Sequence, residues 1–316
     1  MKIVFFGTSS FSAEILRFLK EQPGLEVVAI VTRPDRPQGR DLHLKGCPVK
    51  ELALTQYPYI PLLQPEKAST VEVEEQLRSF KADLFLVVAY GEILKKPILS
   101  IPLKACVNIH TSLLPKYRGA APMQRCLMQG ESVSGVTLME MVLAMDAGDI
   151  LLQEQVPIGP DTNAEQLEAA LLEAAKKGLT QLFSDFDGYY ANKQPQNEHL
   201  VSLAPKILPQ EGHIHPSRSA WEIHNQIRAL APFPGAYINV RWGEGPSKRL
   251  KVLKSKPLPN ESIDAPPGRL LIDRSCLRMV CQEGCIEFLV VQLEGKKPMP
   301  TADFLRGVSQ YFSIDQ

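Results

Sequence analysis

At 316 residues with 44% hydrophobic side chains, the chain can bury a substantial core and has room for two domains, which excludes a disordered or fibrous polypeptide. Its 35 basic and 35 acidic side chains cancel, no apolar run reaches membrane-spanning length, and the first residues do not form a signal peptide, so a soluble, cytoplasmic protein with no membrane partner is expected. The six cysteines, Cys47, Cys106, Cys126, Cys276, Cys281 and Cys285, are scattered as reduced thiols would be, and the last three lack paired C-x-x-C knuckles; no metal site is expected.

Lys2 to Phe6 reads as a buried strand, Gly7-Thr8-Ser9-Ser10 as a turn, and Ile15, Leu16 and Leu19 as the apolar stripe of a following helix. The turn lacks the second and third glycines that let a pyrophosphate approach the backbone, so a Rossmann-like topology without a nicotinamide cofactor is expected. A second strand, Glu26 to Thr32, leads into a long, basic, Pro-punctuated loop from Arg33 to Pro48 that reads as a substrate-contacting segment or an exposed insertion. A short apolar run near Pro61 to Leu63, a helix from about Thr70 to Phe80 and a strand from Leu84 to Ala89 continue the alternation of a mostly parallel sheet with helices on both faces. Tyr90-Gly91-Glu92-Ile93-Leu94 then forms a loop at the carboxyl edge of that sheet, where it could wall a pocket for a flat ring.

The next strand begins the stretch Cys106 to Pro122. Val107 and Ile109 alternate with Asn108 and His110, so the amide and the imidazole should project side by side, at the edge where open α/β sheets bind ligands. Pro115, Gly119 and Pro122 mark the loop that follows and the start of a helix from Met123 to Met128. Taken alone, a histidine at a strand end is an ordinary hydrogen-bonded residue. Strands from Gly135 to Met141 and Ile150 to Val156 bracket Asp146-Ala147-Gly148-Asp149, whose aspartates are by default turn residues. Asp161-Thr162 should cap a helix with the stripe Leu167, Leu171 and Ala175, and the first domain should end near Asn192. Lys193 to Pro216 reads as a linker, and after a helix from Ser219 to Leu230 several short strands suggest a small β-barrel. Residues 204–316 hold 15 basic and 11 acidic side chains, with Arg241, Lys248, Arg249, Lys251, Lys254 and Lys256 clustered as either a solvated face or a footprint for a polyanion.

Jointly, Asn108-Ile109-His110, Ser112-Leu113-Leu114-Pro115, Arg118-Gly119-Ala120-Ala121-Pro122 and Asp146-Ala147-Gly148-Asp149 resemble the formyltransferases that use 10-formyltetrahydrofolate. The resemblance extends through Gly7, Val88-Ala89-Tyr90-Gly91, Ala204-Pro205-Lys206-Ile207, Ile227-Arg228-Ala229, Pro232-Phe233-Pro234-Gly235 and Gly295-Lys296-Lys297-Pro298-Met299, and it is strongest to members acting on initiator methionyl-tRNA. It implies a Rossmann-like catalytic domain over residues 1–192, a linker over 193–216 and an OB-like tRNA-binding barrel over 217–316. It further implies a monomer with 10-formyltetrahydrofolate as co-substrate, initiator methionyl-tRNA as partner and no metal. Asn108, His110 and Asp146 carry over as catalytic residues; Tyr90, Gly91, Ile93, Leu94, Ser112, Leu113, Leu114 and Pro115 as the folate site, together with the segment before Asp146; and Arg40, Lys206, Lys248, Arg249 and Lys251 as tRNA contacts. In one respect the chain departs from the family: Gly39-Arg40 is followed by Asp41-Leu42-His43-Leu44, not by further basic residues.

These residue types suit the implied chemistry. When an amine attacks a formyl carbon an oxyanion develops and the amine must lose a proton, so the reaction wants a fixed donor such as the Asn108 amide and a proton shuttle such as His110. Three other readings remain open at this point: formyl transfer to a small amine (glycinamide ribonucleotide or an amino sugar nucleotide), hydrolysis by Ser112, His110 and Asp146, and non-catalytic RNA binding. Against hydrolysis, the chain has no G-x-S-x-G elbow.

Overall fold

The computed structural model describes residues 1–38, 43–261, 263–273, 275–307 and 312–314. Arg40, expected to contact tRNA, lies outside the described residues. In chain order the elements are β1 (Lys2–Gly7), α1 (Ser10–Lys20), β2 (Glu26–Val31), β3 (Arg36–Gln38), β4 (His43–Lys45), α2 (Pro48–Gln56), β5 (Leu62–Leu63), α3 (Val71–Ser79), β6 (Leu84–Val88), α4 (Lys96–Leu99) and β7 (Ala105–His110). There follow β8 (Arg118–Gly119), α5 (Pro122–Met128), β9 (Val133–Glu140), β10 (Ile150–Pro157), α6 (Ala164–Ser184), α7 (Phe186–Ala191), β11 (Leu203–Ala204) and α8 (Ala220–Leu230). The last are β12 (Ala236–Arg241), β13 (Lys248–Leu258), β14 (Leu270–Ile272), β15 (Leu277–Val280), β16 (Cys285–Leu293), β17 (Met299–Pro300), α9 (Thr301–Arg306) and β18 (Ser313–Ile314). Two compact units result: Met1–Gly119 with Val133–Pro157 and Glu168–Leu203, and Ala120–Ser132 with Ile158–Leu167 and Ala204–Gln316.

The first unit is built on a seven-stranded sheet in the order β10-β9-β7-β6-β1-β2-β5. Pairing is parallel from β5 through β7, and antiparallel only at β7/β9 and β9/β10. The sheet grows from β1 to β5 on one side and, after a reversal, from β6 to β7 on the other. Right-handed crossovers then put α1 and α2 on one face, α3 and α4 on the opposite one. Strands covered on both faces need apolar side chains on both, which is why β1 and β6 read as continuous apolar runs, KIVFFG and LFLVV. Val4, Phe6, Phe85 and Val87 meet Val73 and Leu77 of α3 and Ile98 of α4. The expected mostly parallel, doubly covered sheet is the one observed.

The second unit contains an antiparallel barrel-like sheet in the order β14-β15-β16-β13-β12-β18, with β17 against β16. Alternate residues, among them Ile238, Val240, Leu250, Val252, Met279, Ile286 and Phe288, turn inward onto Ala220, Ile223, Ile227 and Leu230 of α8. Irregularities of register in β13 between Val252 and Ser255 add the curl that a short barrel requires. Ser219 caps α8 with Glu222 as its reciprocal partner.

The fold differs from two local expectations. Asn163 and Gln166, not Asp161-Thr162, exchange the side-chain hydrogen bonds that cap α6. The stretch 193–216 is pinned along its length: Gln194 pairs with Ile150, Ser202 Oγ accepts from the Tyr117 N–H at 2.9 Å, and in the second unit Glu211 receives a bidentate pair from Arg125. Among the described residues no helix is long and apolar enough to cross a membrane.

Candidate active site

The last residues of β7 bring the chemistry to the sheet edge. Asn108 pairs in register with Val87 and Met139, and His110 with Thr137, so both side chains leave the same face of the strand. The Asn108 amide makes no hydrogen bond among the described residues and is partly exposed, a donor left free for a ligand. The buried His110 imidazole has its Nε2 2.9 Å from the Tyr117 carbonyl. A carbonyl can only accept, so Nε2 carries the proton and Nδ1 is the nitrogen that can take another. Nδ1 lies 3.7 Å from Oδ2 of Asp146, and that oxygen accepts from the Gly119 N–H at 2.8 Å. The backbone of Tyr117, more than Asp146, therefore orients the ring, while Asp146 stands where it would face an imidazolium.

The segment between these groups is stapled to the two antiparallel strands. Thr137 donates to the Ser112 carbonyl at 2.6 Å and accepts from the Leu114 N–H at 3.1 Å, and the Gln153 amide donates to both the Leu114 carbonyl and the Thr137 hydroxyl at 2.9 Å. Leu113 lies over Gly135, where a Cβ would come within 2.5 Å of its Cδ2. The Ser112 hydroxyl donates to the Lys116 carbonyl at 2.7 Å. It is thus engaged by backbone, and His110 by Tyr117, so the triad that hydrolysis would require is not assembled.

Asp146 sits at the head of a turn in left-handed backbone, φ 51°, an uncommon conformation that the surroundings must impose. Gln196 imposes it. Its amide nitrogen donates to the carbonyls of Asp146 and Gly148, each at 2.8 Å, and its Oε1 accepts from Arg118 Nε and Nη2 at 3.0 and 2.8 Å. Arg118, itself buried, is neutralised by Glu198 at 2.8 Å, whose carboxyl is held below its usual range by that guanidinium. Gly148 is obligatory in this turn, because a Cβ there would stand 1.8 Å from the Glu140 carbonyl oxygen. Sequence reasoning passed over Thr137, Gln153 and Gln196: polar residues in a strand or an aperiodic stretch carry no pattern that marks them.

The expected folate residues divide. Tyr90 and Leu94 are buried in the core beside Phe6, leaving Gly91 and Ile93 at the surface of that loop. Gly91, at φ 83°, receives Arg33 on its carbonyl. Burial pushes the Tyr90 hydroxyl up, and it has no hydrogen-bond partner among the described residues. Ser112 and Leu114 are buried, whereas Leu113 and Pro115 are half-buried. Ile93, Val142, Leu143 and Met145 are apolar side chains left exposed in the loops after β6 and before Asp146. Of the expected tRNA residues, Lys206, Lys248 and Arg249 are exposed; Lys251 is half-buried and donates to the Pro234 carbonyl at 2.7 Å. Among the described residues no group of side chains could hold a metal ion.

Residues 1–183 match the formyl transferase family and residues 206–309 its C-terminal domain. The methionyl-tRNA formyltransferase of Protochlamydia amoebophila (strain UWE25) is 41% identical over 310 residues, 98% of this chain and 96% of that one. The methionyl-tRNA formyltransferase of Geobacter sulfurreducens (strain ATCC 51573 / DSM 12127 / PCA) is 38% identical over 308 residues, 97% and 94% of the two chains. Among solved structures, WlaRD, a sugar 3N-formyl transferase crystallised with dTDP and 5-N-formyl-THF, matches with a TM-score of 0.65 at 22% identity, over 94% of this chain and 99% of that one. An N-formyltransferase from Helicobacter canadensis in complex with folinic acid and dTDP-3-aminofucose gives the same TM-score at 20% identity, over 91% and 98%. At such identities these structures speak for the fold; the curated relatives, alike along nearly their whole length, place the chain in the formyl transferase family, among the methionyl-tRNA formyltransferases.

Proposed function

We propose that this protein transfers the formyl group of 10-formyltetrahydrofolate to the α-amino group of initiator methionyl-tRNA, as a cytoplasmic monomer. Catalysis is assigned to residues 1–192 and the holding of tRNA to residues 217–316, with 193–216 as the connection. The observation that carries the mechanism is the arrangement of Asn108, His110 and Asp146, with Nε2 of His110 committed to the Tyr117 carbonyl and Nδ1 turned to Asp146.

The co-substrate supplies an activated formyl carbon bound to nitrogen. Ile93, Val142, Leu143 and Met145 offer exposed apolar surface suited to a flat pterin ring, and Leu113 and Pro115 border the same edge. Asn108 donates its amide N–H to the formyl oxygen as negative charge builds there. His110 takes the proton of the attacking amine on Nδ1, and Asp146 stabilises the imidazolium that forms. That proton then goes to the departing folate nitrogen as the carbon–nitrogen bond breaks. Lys206, Lys248, Arg249 and Lys251, with Arg40, are assigned to the tRNA phosphates.

Offering methionyl-tRNA, glycinamide ribonucleotide and an amino sugar nucleotide in parallel, with 10-formyltetrahydrofolate as donor, tests the reading. Transfer to methionyl-tRNA alone is expected. Preferential formylation of either small amine would overturn it.

A further inference from the structure

The motif Pro232-Phe233-Pro234-Gly235 has no part in the chemistry above, yet Phe233 is 83% exposed. A benzyl ring held in water between two prolines has little backbone freedom to retreat, so it stands as a fixed apolar platform. Its surroundings are cationic and aromatic in alternation. Lys251 donates to the Pro234 carbonyl beside it and lies opposite Tyr237 in the β12/β13 register. The Arg249 guanidinium covers the Tyr237 ring at 4.5 Å from its centroid, and His213 approaches the same ring at 5.5 Å and is itself 4.7 Å from His215. The strip ends in a cavity of about 600 Å³, within the range of ~300–1,000 Å³ typical of small-ligand sites. His213 and His215 line it together with Gln226. The buried Gln226 fixes this wall: its amide nitrogen donates to the carbonyls of Glu211 and His213, and its Oε1 has no partner among the described residues.

Flat rings interleaved with Lys and Arg are what single-stranded nucleic acid recognises: bases stack on the rings and phosphates meet the cations. We propose that this strip of the second unit holds unpaired nucleotides of the tRNA substrate, one base stacked on Phe233 and another entering the cavity beside His213 and His215, with Lys251 and Arg249 on the phosphates between. The proposal rests on the tRNA reading above and deepens it: it assigns the barrel a contact with unpaired nucleotides, made by stacking, in addition to charge on duplex backbone.

The test is equilibrium binding of methionyl-tRNA to the full-length protein across a salt series, with steady-state formylation measured alongside. Phe233→Ala is expected to weaken tRNA binding by about fivefold to a hundredfold, the span of one lost base stack, while leaving the slope of affinity against salt unchanged. Phe233→Trp should restore binding, and His215→Ala should weaken it. Arg249→Ala should lower the slope by about one counterion. The KM for the folate should not move in Phe233→Ala. A short single-stranded RNA should compete for the site where a duplex of equal length competes less. Unchanged affinity in both Phe233→Ala and His215→Ala, or equal competition by the duplex, would overturn the proposal. Were the wild-type protein itself unable to formylate methionyl-tRNA, the functional reading would fail instead, so the two failures are told apart.

Discussion

At the scale of single residues, the site depends on which hydrogen bonds are already taken. His110 spends Nε2 on Tyr117 and Ser112 spends its hydroxyl on Lys116, whereas the Asn108 amide is uncommitted among the described residues. Function is therefore expected to lie in the two groups with capacity left, Asn108 and Nδ1 of His110, and in the carboxylate facing the latter. Asn108→Ala, His110→Ala and Asp146→Ala should each lower kcat by about 10²–10³, the cost of one lost transition-state partner, with unchanged melting behaviour. Near-normal turnover in any of them would remove that residue from the mechanism. Gln196 is a positioning residue one step removed. Gln196→Glu keeps the acceptor for Arg118 but loses both donors to the Asp146 turn, so kcat should fall while the KM for the folate holds. Loss of stability without the drop in kcat would make Gln196 merely structural.

At the scale of elements, α8 shows how burial and polarity are reconciled. Its His224 is buried and accepts from the Ser255 hydroxyl at Nδ1, while its Nε2 donates to the Pro160 carbonyl at 3.1 Å. Both bonds suit the neutral ring. Burial lowers the pKa from its ordinary 6.5, outweighing the upward pull of the Pro160 carbonyl and Asp161. The unfolded chain thus binds a proton that the folded one resists, and the stability tied to this group is present above about 6.5 and lost as pH falls below it. Urea unfolding followed at about pH 7.5 and about 5.5 should show the wild type losing more stability on acidification than His224→Gln. Equal losses would mean that other groups set the acid limit.

At the scale of the whole molecule, a formal net charge of zero leaves tRNA recognition to local concentration of charge. The strand pair β12/β13 gathers Arg241, Lys248, Arg249, Lys251, Lys254 and Lys256, and in β13 the outward parity before the bulge belongs to Arg249 and Lys251. Replacing Lys248, Arg249 and Lys251 together by Ala should weaken tRNA binding and flatten its salt dependence by up to about three counterions, with folate binding retained. If the salt slope survives, the cluster is a solvated face, and the phosphates are met by Lys206 or the segment from Arg33 to Lys45.

Local pattern was enough for the architecture. Continuous apolar runs in β1, β2 and β6, helical periodicity between strands, and short Pro- and Gly-divided strands after α8 announce a doubly covered sheet followed by a small barrel, because burial acts within a few residues. The alternation Val107-Asn108-Ile109-His110 likewise puts the amide and imidazole on one face. Contacts between residues far apart in the chain are beyond such patterns. That Gln196 would clamp a turn 50 residues earlier, that Thr137 and Gln153 would hold the Ser112 to Pro115 segment, and that Tyr90 and Leu94 would turn into the core are outcomes of packing. Periodicity says which face a side chain takes; only the assembled fold decides which distant polar group meets it there, since a buried donor or acceptor must find whatever partner the topology brings within about 3 Å.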